Sequence, residues 1–302
     1  MSRHVLISGA TGFVGRFIAE HFLARGDRVT AMGRTPPVPG FFSAPVVFVE
    51  GGLDPARDFS SVFAGVDAFV HAAFDHVAGK YRGGEGDDAA GFRRRNLDGS
   101  VALFQAAKTA GVARVVFLST RAVYGTQAAG AMLQEDMVPQ PDTLYGAVKL
   151  LGEQALAKLS DEALCGASLR VTGVYGPAGH GRAHKWQTLF DDYLAGRPVA
   201  SRVATEVHGA DVAAAVALML DAPADAVCGQ VFNVSDLVVD HRDLLGRVRA
   251  LMGVERPLPE RADAAALNVM ATERLRSLGW RPGGADALDA FVRAVVRGLL
   301  AR

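Results

Sequence analysis

The stretch Val5-Leu6-Ile7-Ser8-Gly9-Ala10-Thr11-Gly12-Phe13-Val14-Gly15 decides the fold. Val5 to Ile7 form a short apolar run, the pattern of a parallel strand buried on both faces. Phe13, Val14, Phe17, Ile18, Phe22 and Leu23 then recur at helical spacing. Between strand and helix lie Gly9, Gly12 and Gly15. Such a junction places unpaired backbone N–H groups and the positive end of a helix where a pyrophosphate can lie. Gly9 permits the tight turn, Gly12 lets phosphates approach the backbone, and Gly15 lets the helix pack close to the strand. The spacing is Gly-x-x-Gly-x-x-Gly rather than Gly-x-Gly-x-x-Gly. A tight turn is the rival reading of the glycines alone, so the flanking strand and helix carry the dinucleotide reading.

Working outward, Arg28 to Met32 reads as a second strand ending at Gly33-Arg34-Thr35. The residue at this strand end faces the adenosine ribose in dinucleotide folds. An acid there would accept from the 2′-hydroxyl of NAD; Arg34, assisted by Arg16, suits the 2′-phosphate of NADP instead. NADP is therefore the preferred cofactor on this reading, with NAD left open. Strands at Val46 to Val49, Val66 to His71, Arg114 to Ser119 and Leu164 to Val171 alternate with helices at Phe59 to Phe63, Phe92 to Ala110 and Tyr145 to Leu159. Alternation at crossover spacing predicts βαβ units and a doubly wound parallel sheet. Residues 1–177 are expected to form this Rossmann-type domain. Residues 178–302, with short helices and brief strands near Val203 to Val207 and Val231 to Val234, are expected to be mostly a smaller α/β substrate lobe, some of whose segments return to the sheet. The glycine-rich, charged stretch Phe74 to Gly91 fits either a flap over the crevice or a solvated insertion.

The 302 residues are 50% hydrophobic, enough for a sizeable core, and 32 basic residues balance 32 acidic ones. No basic run recommends nucleic acid or an anionic membrane as partner. The longest apolar stretch, Val212 to Leu220, is too short to span a bilayer. Met1 to His4 run straight into the predicted first strand, so no signal peptide is expected, and Cys165 and Cys228 lack metal-like spacing. A cytoplasmic, reduced protein is expected. His71 and His76 have no partner set for a metal.

Tyr145 and Lys149 lie four apart on one predicted helix and so share a face. A phenol with a reference pKa near 10 is no base at neutral pH, but a neighbouring ammonium and a positive nicotinamide favour the phenolate. Such a phenol exchanges a proton with a substrate hydroxyl while the nicotinamide exchanges a hydride at the same carbon. Thr120, at a neighbouring strand end, suits a hydrogen bond to that oxygen.

Together with Asp67-Ala68-Phe69-Val70-His71-Ala72-Ala73, Asn96 with Gly99, Ser119-Thr120 before Val123-Tyr124-Gly125, and Leu169-Arg170 before Val174-Tyr175-Gly176-Pro177, these motifs give the chain its resemblance to the extended short-chain dehydrogenase/reductases, the NAD(P)-dependent epimerase/dehydratase family. The resemblance spans nearly the whole length. It implies Tyr145 as general acid/base, Lys149 also on the nicotinamide ribose, and Thr120 in the catalytic Ser/Thr position. It further implies Thr11, Phe13, Val14, Ala72, Ala73 and Asn96 at the cofactor, Gly52 and Leu53 beside the adenine, and a homodimer through the helices beginning near Asn96 and Tyr145. Asn96 has a plainer reading as a helix cap. Dehydratases of this family resemble Thr-Asp-Glu where this chain has Thr120-Arg121-Ala122, and epimerases usually carry an arginine before the Val-His of the smaller lobe. Here Ala204-Thr205-Glu206 precede Val207-His208, with Arg202 displaced. The leading expectation is an NADP-dependent oxidoreductase of a secondary alcohol or carbonyl on a sugar-like or polar small molecule. The alternatives are a nucleoside-diphosphate-sugar 4-epimerase with retained NAD, and a non-catalytic NAD(P)-sensing regulator. Arg121, His76, Tyr175 and Arg202 are substrate-contact candidates; Arg121 suits an anionic group such as a carboxylate, or else folds onto the surface.

Overall fold

The structure, a computed structural model, describes residues 2–77, 84–179 and 181–301. The chain opens with β1 (His4–Ser8), α1 (Phe13–Ala24), β2 (Arg28–Gly33) and β3 (Val47–Glu50), then passes through a 3₁₀ turn (Ser60–Phe63) to β4 (Ala68–His71). Val5, Leu6 and Ile7 are fully buried, as an apolar run between two helical layers must be. The expected helix over Phe92 to Ala110 is in fact α2 (Ala89–Arg93), a π turn (Arg94–Asp98) and α3 (Gly99–Thr109). β5 (Arg114–Thr120), the short β6 (Met132–Leu133), α4 (Leu144–Leu159) and β7 (Cys165–Val171) follow. Thr143 caps α4, its side chain accepting from Gly146 N at 3.0 Å.

β8 (Gly173–Tyr175), α5 (Gln187–Leu194) and β9 (Val203–His208) then lead into α6 (Gly209–Asp221), α7 (Ala224–Val227) and β10 (Val231–Val234). The chain ends with β11 (Leu237–Asp240), α8 (His241–Met252), β12 (Val269–Met270), α9 (Glu273–Ser277) and α10 (Gly284–Leu300). Seven parallel strands form the main sheet in the order β10-β7-β5-β4-β1-β2-β3. The order reverses between β1 and β4, the switch point where a ligand crevice opens in sheets of this kind. One face is covered by α1 and α6, with Phe17, Ile18, Phe22, Val212 and Val216 in one core. The other is covered by α3, α4 and the 3₁₀ turn, through Phe63, Leu103, Phe104 and Leu156. β8, β9 and β11 make a second, three-stranded sheet, and a third core joins it to α5, α8 and α10.

Cys165, at the start of β7, and Cys228, in the turn before β10, lie side by side with Cα atoms 4.8 Å apart. Pairing of β7 with β10 brings together these positions 63 residues apart, a neighbourhood their sequence spacing does not reveal. In the Phe74 to Gly91 stretch, Lys80, Tyr81 and Arg82 lie outside the described residues. Within the same stretch, Val77 N donates to Gly84 O at 2.9 Å.

Candidate active site

The glycine turn closes on Gly9, at φ +70°, whose N–H donates to Met32 O at 2.8 Å. A Cβ on Gly9 would lie 2.8 Å from the Ala73 backbone, and one on Gly15 would lie 2.1 Å from Gly9 O. Both positions therefore demand glycine. α1 starts at Gly12 with no side-chain cap and no acid in its first turn, leaving the amides of Phe13 and Val14 for an anion. Thr11 O accepts from Arg182 at 2.9 Å. Across the turn, Ala72 N donates to Ser8 O and Ala73 N to Ser8 Oγ, at 3.1 and 3.3 Å. Gly52 is open, whereas Leu53 is buried with its carbonyl against Gly99. This cradle, open at the switch point and free of carboxylates in the helix turn, fits a dinucleotide pyrophosphate.

Two lips flank the cradle. Arg34 follows β2 on one; Phe74, Asp75 and His76 follow β4 on the other. Arg34 Nη1 pairs with Asp75 Oδ1 at 3.0 Å, while Arg95 Nε holds Asp75 Oδ2 at 2.7 Å. Asn96, buried in the π turn, accepts from Asp75 N at 2.7 Å and donates to Asp75 O at 2.8 Å. It thus fastens the β4 lip rather than capping a helix. Arg16 Nε donates to Phe41 O at 3.5 Å.

Tyr145, half-buried, and Lys149, buried, project from one face of α4 and meet on the same ring. Phe74 packs edge-on to Tyr145 at 5.1 Å and lies 4.6 Å from Lys149 Nζ. Lys149 also lies 4.6 Å from the Phe117 ring and donates to Leu118 O at 2.6 Å. Burial pulls its pKa down to about 7, against the opposing pull of Glu153. Behind it, His71 bridges Ser8 and Ser100 at 2.6 and 2.8 Å, and burial lowers its pKa to about 3, with Lys149 adding to the shift. Thr120 ends β5 with its Oγ1 accepting from Ala122 N at 3.2 Å, which leaves the hydroxyl hydrogen to donate elsewhere.

Arg121 is half-buried; Nη2 donates to Asn268 O at 3.0 Å, and Nε has no partner among the described residues. Beneath it runs a buried polar chain. Ser119 donates to Glu153, Glu153 pairs with Arg170 at 2.8 Å, Arg170 stacks on Tyr124 at 4.8 Å, and Tyr124 OH donates to Asn233 Oδ1 at 2.8 Å.

The other substrate candidates scatter. His76 packs beside Phe74 at 5.8 Å. Tyr175, expected to contact substrate, is instead fully buried and stacked on Trp186 at 5.2 Å, because β8 places it in the third core. Arg202 stays exposed ahead of β9. At the position expected to carry an arginine, buried Glu206 pairs with Lys185 at 2.6 Å; burial pushes its carboxyl up and Lys185 pulls it down. Sequence reading missed Phe74, Asp75 and the Glu153–Arg170 pair. The short Phe74-Asp75 step after β4 is the signal that points to the first two.

Among the described residues no group of three His, Cys, Asp or Glu suits a metal, and no helix is long and apolar enough to cross a membrane. The profile of the NAD dependent epimerase/dehydratase family matches residues 5–235. A UDP-glucose 4-epimerase of Streptomyces lividans is 28% identical over 95% of this chain and 93% of its own. Among solved structures, MoeE5 in complex with UDP-glucuronic acid and NAD is 25% identical with TM-score 0.78, covering 98% of this chain and 99% of that one. The Thermus thermophilus UDP-glucose 4-epimerase in complex with NAD is 26% identical with TM-score 0.76, again covering 98% of this chain and 99% of that one.

Proposed function

The chain belongs to the NAD dependent epimerase/dehydratase family, whose enzymes are extended short-chain dehydrogenase/reductases, and from that premise we propose that it is a nucleoside-diphosphate-sugar 4-epimerase working with NAD held over the glycine turn. The observation that carries this reading is the likeness to the Streptomyces lividans epimerase, which runs over 95% of the chain and so includes the region after residue 177 that is expected to set specificity. We assign residues 178–302 mostly to substrate binding on the same ground.

In this reading Gly9, Thr11, Gly12, Phe13, Val14 and Gly15 hold the pyrophosphate, Ala72 and Ala73 line the way to the nicotinamide, and Gly52 and Leu53 flank the adenine. Bound there, the dinucleotide supplies reversible oxidation and reduction at one substrate carbon. Tyr145 takes the proton from the substrate hydroxyl and returns it. Thr120 donates to the substrate oxygen and fixes which proton Tyr145 meets. Lys149, when charged, favours the phenolate and so brings Tyr145 into range for proton transfer. The amine's pKa of about 7 in its buried position makes that charge sensitive to what enters the crevice.

NADP remains the finer alternative on Arg34, although the ion pair with Asp75 supports NAD. A second chemical reading, net oxidation or reduction of a sugar-like acid, is favoured by the Lys185–Glu206 pair where an epimerase arginine is expected. A groove of ≈ 470 Å³ between the outer faces of α3 and α4, lined by Leu97, Val101, Leu151 and Ala155, suits a homodimer through those helices.

The test is to incubate the purified protein with UDP-glucose, UDP-galactose and their uronic acids without added cofactor, and to follow C4 configuration by NMR. Interconversion supports the epimerase. No interconversion, with turnover of a sugar acid that consumes added NAD or NADH, supports the second reading.

A further inference from the structure

The end of β2 carries Gly33-Arg34 and no acid, yet the crevice does not lack one. Asp75, from the opposite lip, reaches across to Arg34 at 3.0 Å. The two residues are 41 apart in sequence and meet only because β4 and β2 flank β1, whose end makes the glycine turn between them. Gly9 packs against the Ala73 backbone on one side and takes Met32 O on the other, so the pair spans the cradle where an adenosine ribose would sit.

Asp75 is the fixed partner. Asn96 clamps its backbone N–H and carbonyl, Arg95 holds its second oxygen, and its side chain is 29% exposed. Arg34 is 78% exposed and extends to meet it. Arg95 in turn pairs with Asp88 at 3.2 Å. Among the described residues of the lip, two guanidinium groups therefore face two carboxylates, which leaves no net positive charge there for a phosphate. A ribose 2′-hydroxyl can donate to a carboxylate; a 2′-phosphate cannot, and it meets like charge instead.

We propose that Asp75 is the residue that selects NAD over NADP in this protein, by supplying from the β4 lip the acid missing from β2 and by engaging the arginine that would otherwise bind the 2′-phosphate. This rests on the reading of the crevice as a dinucleotide site. The geometry is exposed enough for the effect to be moderate, roughly tenfold in relative affinity, and to shrink with added salt.

Calorimetric Kd values for NADH and NADPH on nucleotide-free full-length protein test it without any turnover. Wild type is expected to prefer NADH. Asp75→Asn, which keeps the shape and removes the charge, is expected to shift the ratio toward NADPH roughly tenfold, with unchanged Tm. Adding Arg34→Ala to that variant is expected to reverse most of the gain. A ratio that Asp75→Asn leaves within about twofold overturns the proposal, as does a wild type that prefers NADPH. A wild type that binds neither dinucleotide overturns it together with the cofactor reading, which the other two outcomes leave standing.

Discussion

Tyr145 and Arg121 illustrate what single side chains contribute to the crevice. Tyr145 sits half-buried on α4 with its ring edge-on to Phe74, a ring contact that phenylalanine would keep. Tyr145→Phe is therefore expected to leave NADH affinity and Tm unchanged and to lower kcat by about 10³-fold, the range for loss of a positioned acid/base. Stopped-flow single turnovers on the variant check it; retained turnover removes Tyr145 from the proton path. Arg121 is a desolvated guanidinium with one N–H unmatched and one tied to Asn268 O, and no carboxylate pairs with it among the described residues. Such a group is costly unless something anionic arrives. Arg121→Ala is expected to raise KM for a uronic acid sugar nucleotide about tenfold or more, and to leave KM for the neutral sugar nearly unchanged. Equal effects on both would reduce Arg121 to a strut for the Asn268 segment.

Secondary-structure elements here are tied by buried polar contacts as much as by apolar packing. Glu153 on α4 and Arg170 on β7 are 4% and 3% exposed, and the same chain reaches Ser119 on β5 and Asn233 on β10. Removing one partner strands a buried charge, so Glu153→Gln is expected to cost about 3–5 kcal/mol, read from urea denaturation. His71, on β4, adds a pH dependence. Its folded pKa of about 3 lies below the 6.5 of the free side chain, so the unfolded chain binds more protons between those values. Its contribution is complete above pH 6.5 and is lost as pH falls toward 3, at up to about 1.4 kcal/mol per pH unit. His71→Asn is expected to flatten that acid slope; an unchanged slope places the acid sensitivity elsewhere. These elements also mark what sequence can tell. β1, β5, β7 and α4 were legible because their apolar runs and helical spacing are local, and so were the glycine turn after β1 and the shared helix face of Tyr145 and Lys149. The π turn was not, since Phe92, Leu97, Val101 and Phe104 keep a helical look across it. β6, β8, β11 and β12 are two to four residues long and carry no period. Asp75 with Arg34 and Glu153 with Arg170 exist only after folding brings distant segments together.

Across the whole molecule, segments that follow residue 177 pack into the main sheet. β10 extends the main sheet by pairing with β7, Val231 opposite Ser168 through Val234 opposite Val171. α6 shares a face of that sheet with α1, and Val212, Val216, Leu275 and Trp280 belong to the same core as Phe17, Ile18 and Phe22. Trp280 is fastened there by its Nε1 donating to Asp211 O at 2.9 Å. A fragment of residues 1–177 would therefore expose the apolar face of α1. It would also leave β7, buried at every position, as an open edge strand. Both losses are large against the small net stability of a domain. Such a fragment is expected to bind a hydrophobic dye, to lack a cooperative thermal transition and to associate through the β7 edge. The check is a calorimetric scan of the fragment beside the full chain. A sharp transition near the full-length Tm would mean that the sheet is complete without β10 and α6, and that the substrate lobe is an attachment to the fold. The expected broad transition means the opposite: β10 and α6 hold together the sheet that positions Tyr145 and the glycine turn.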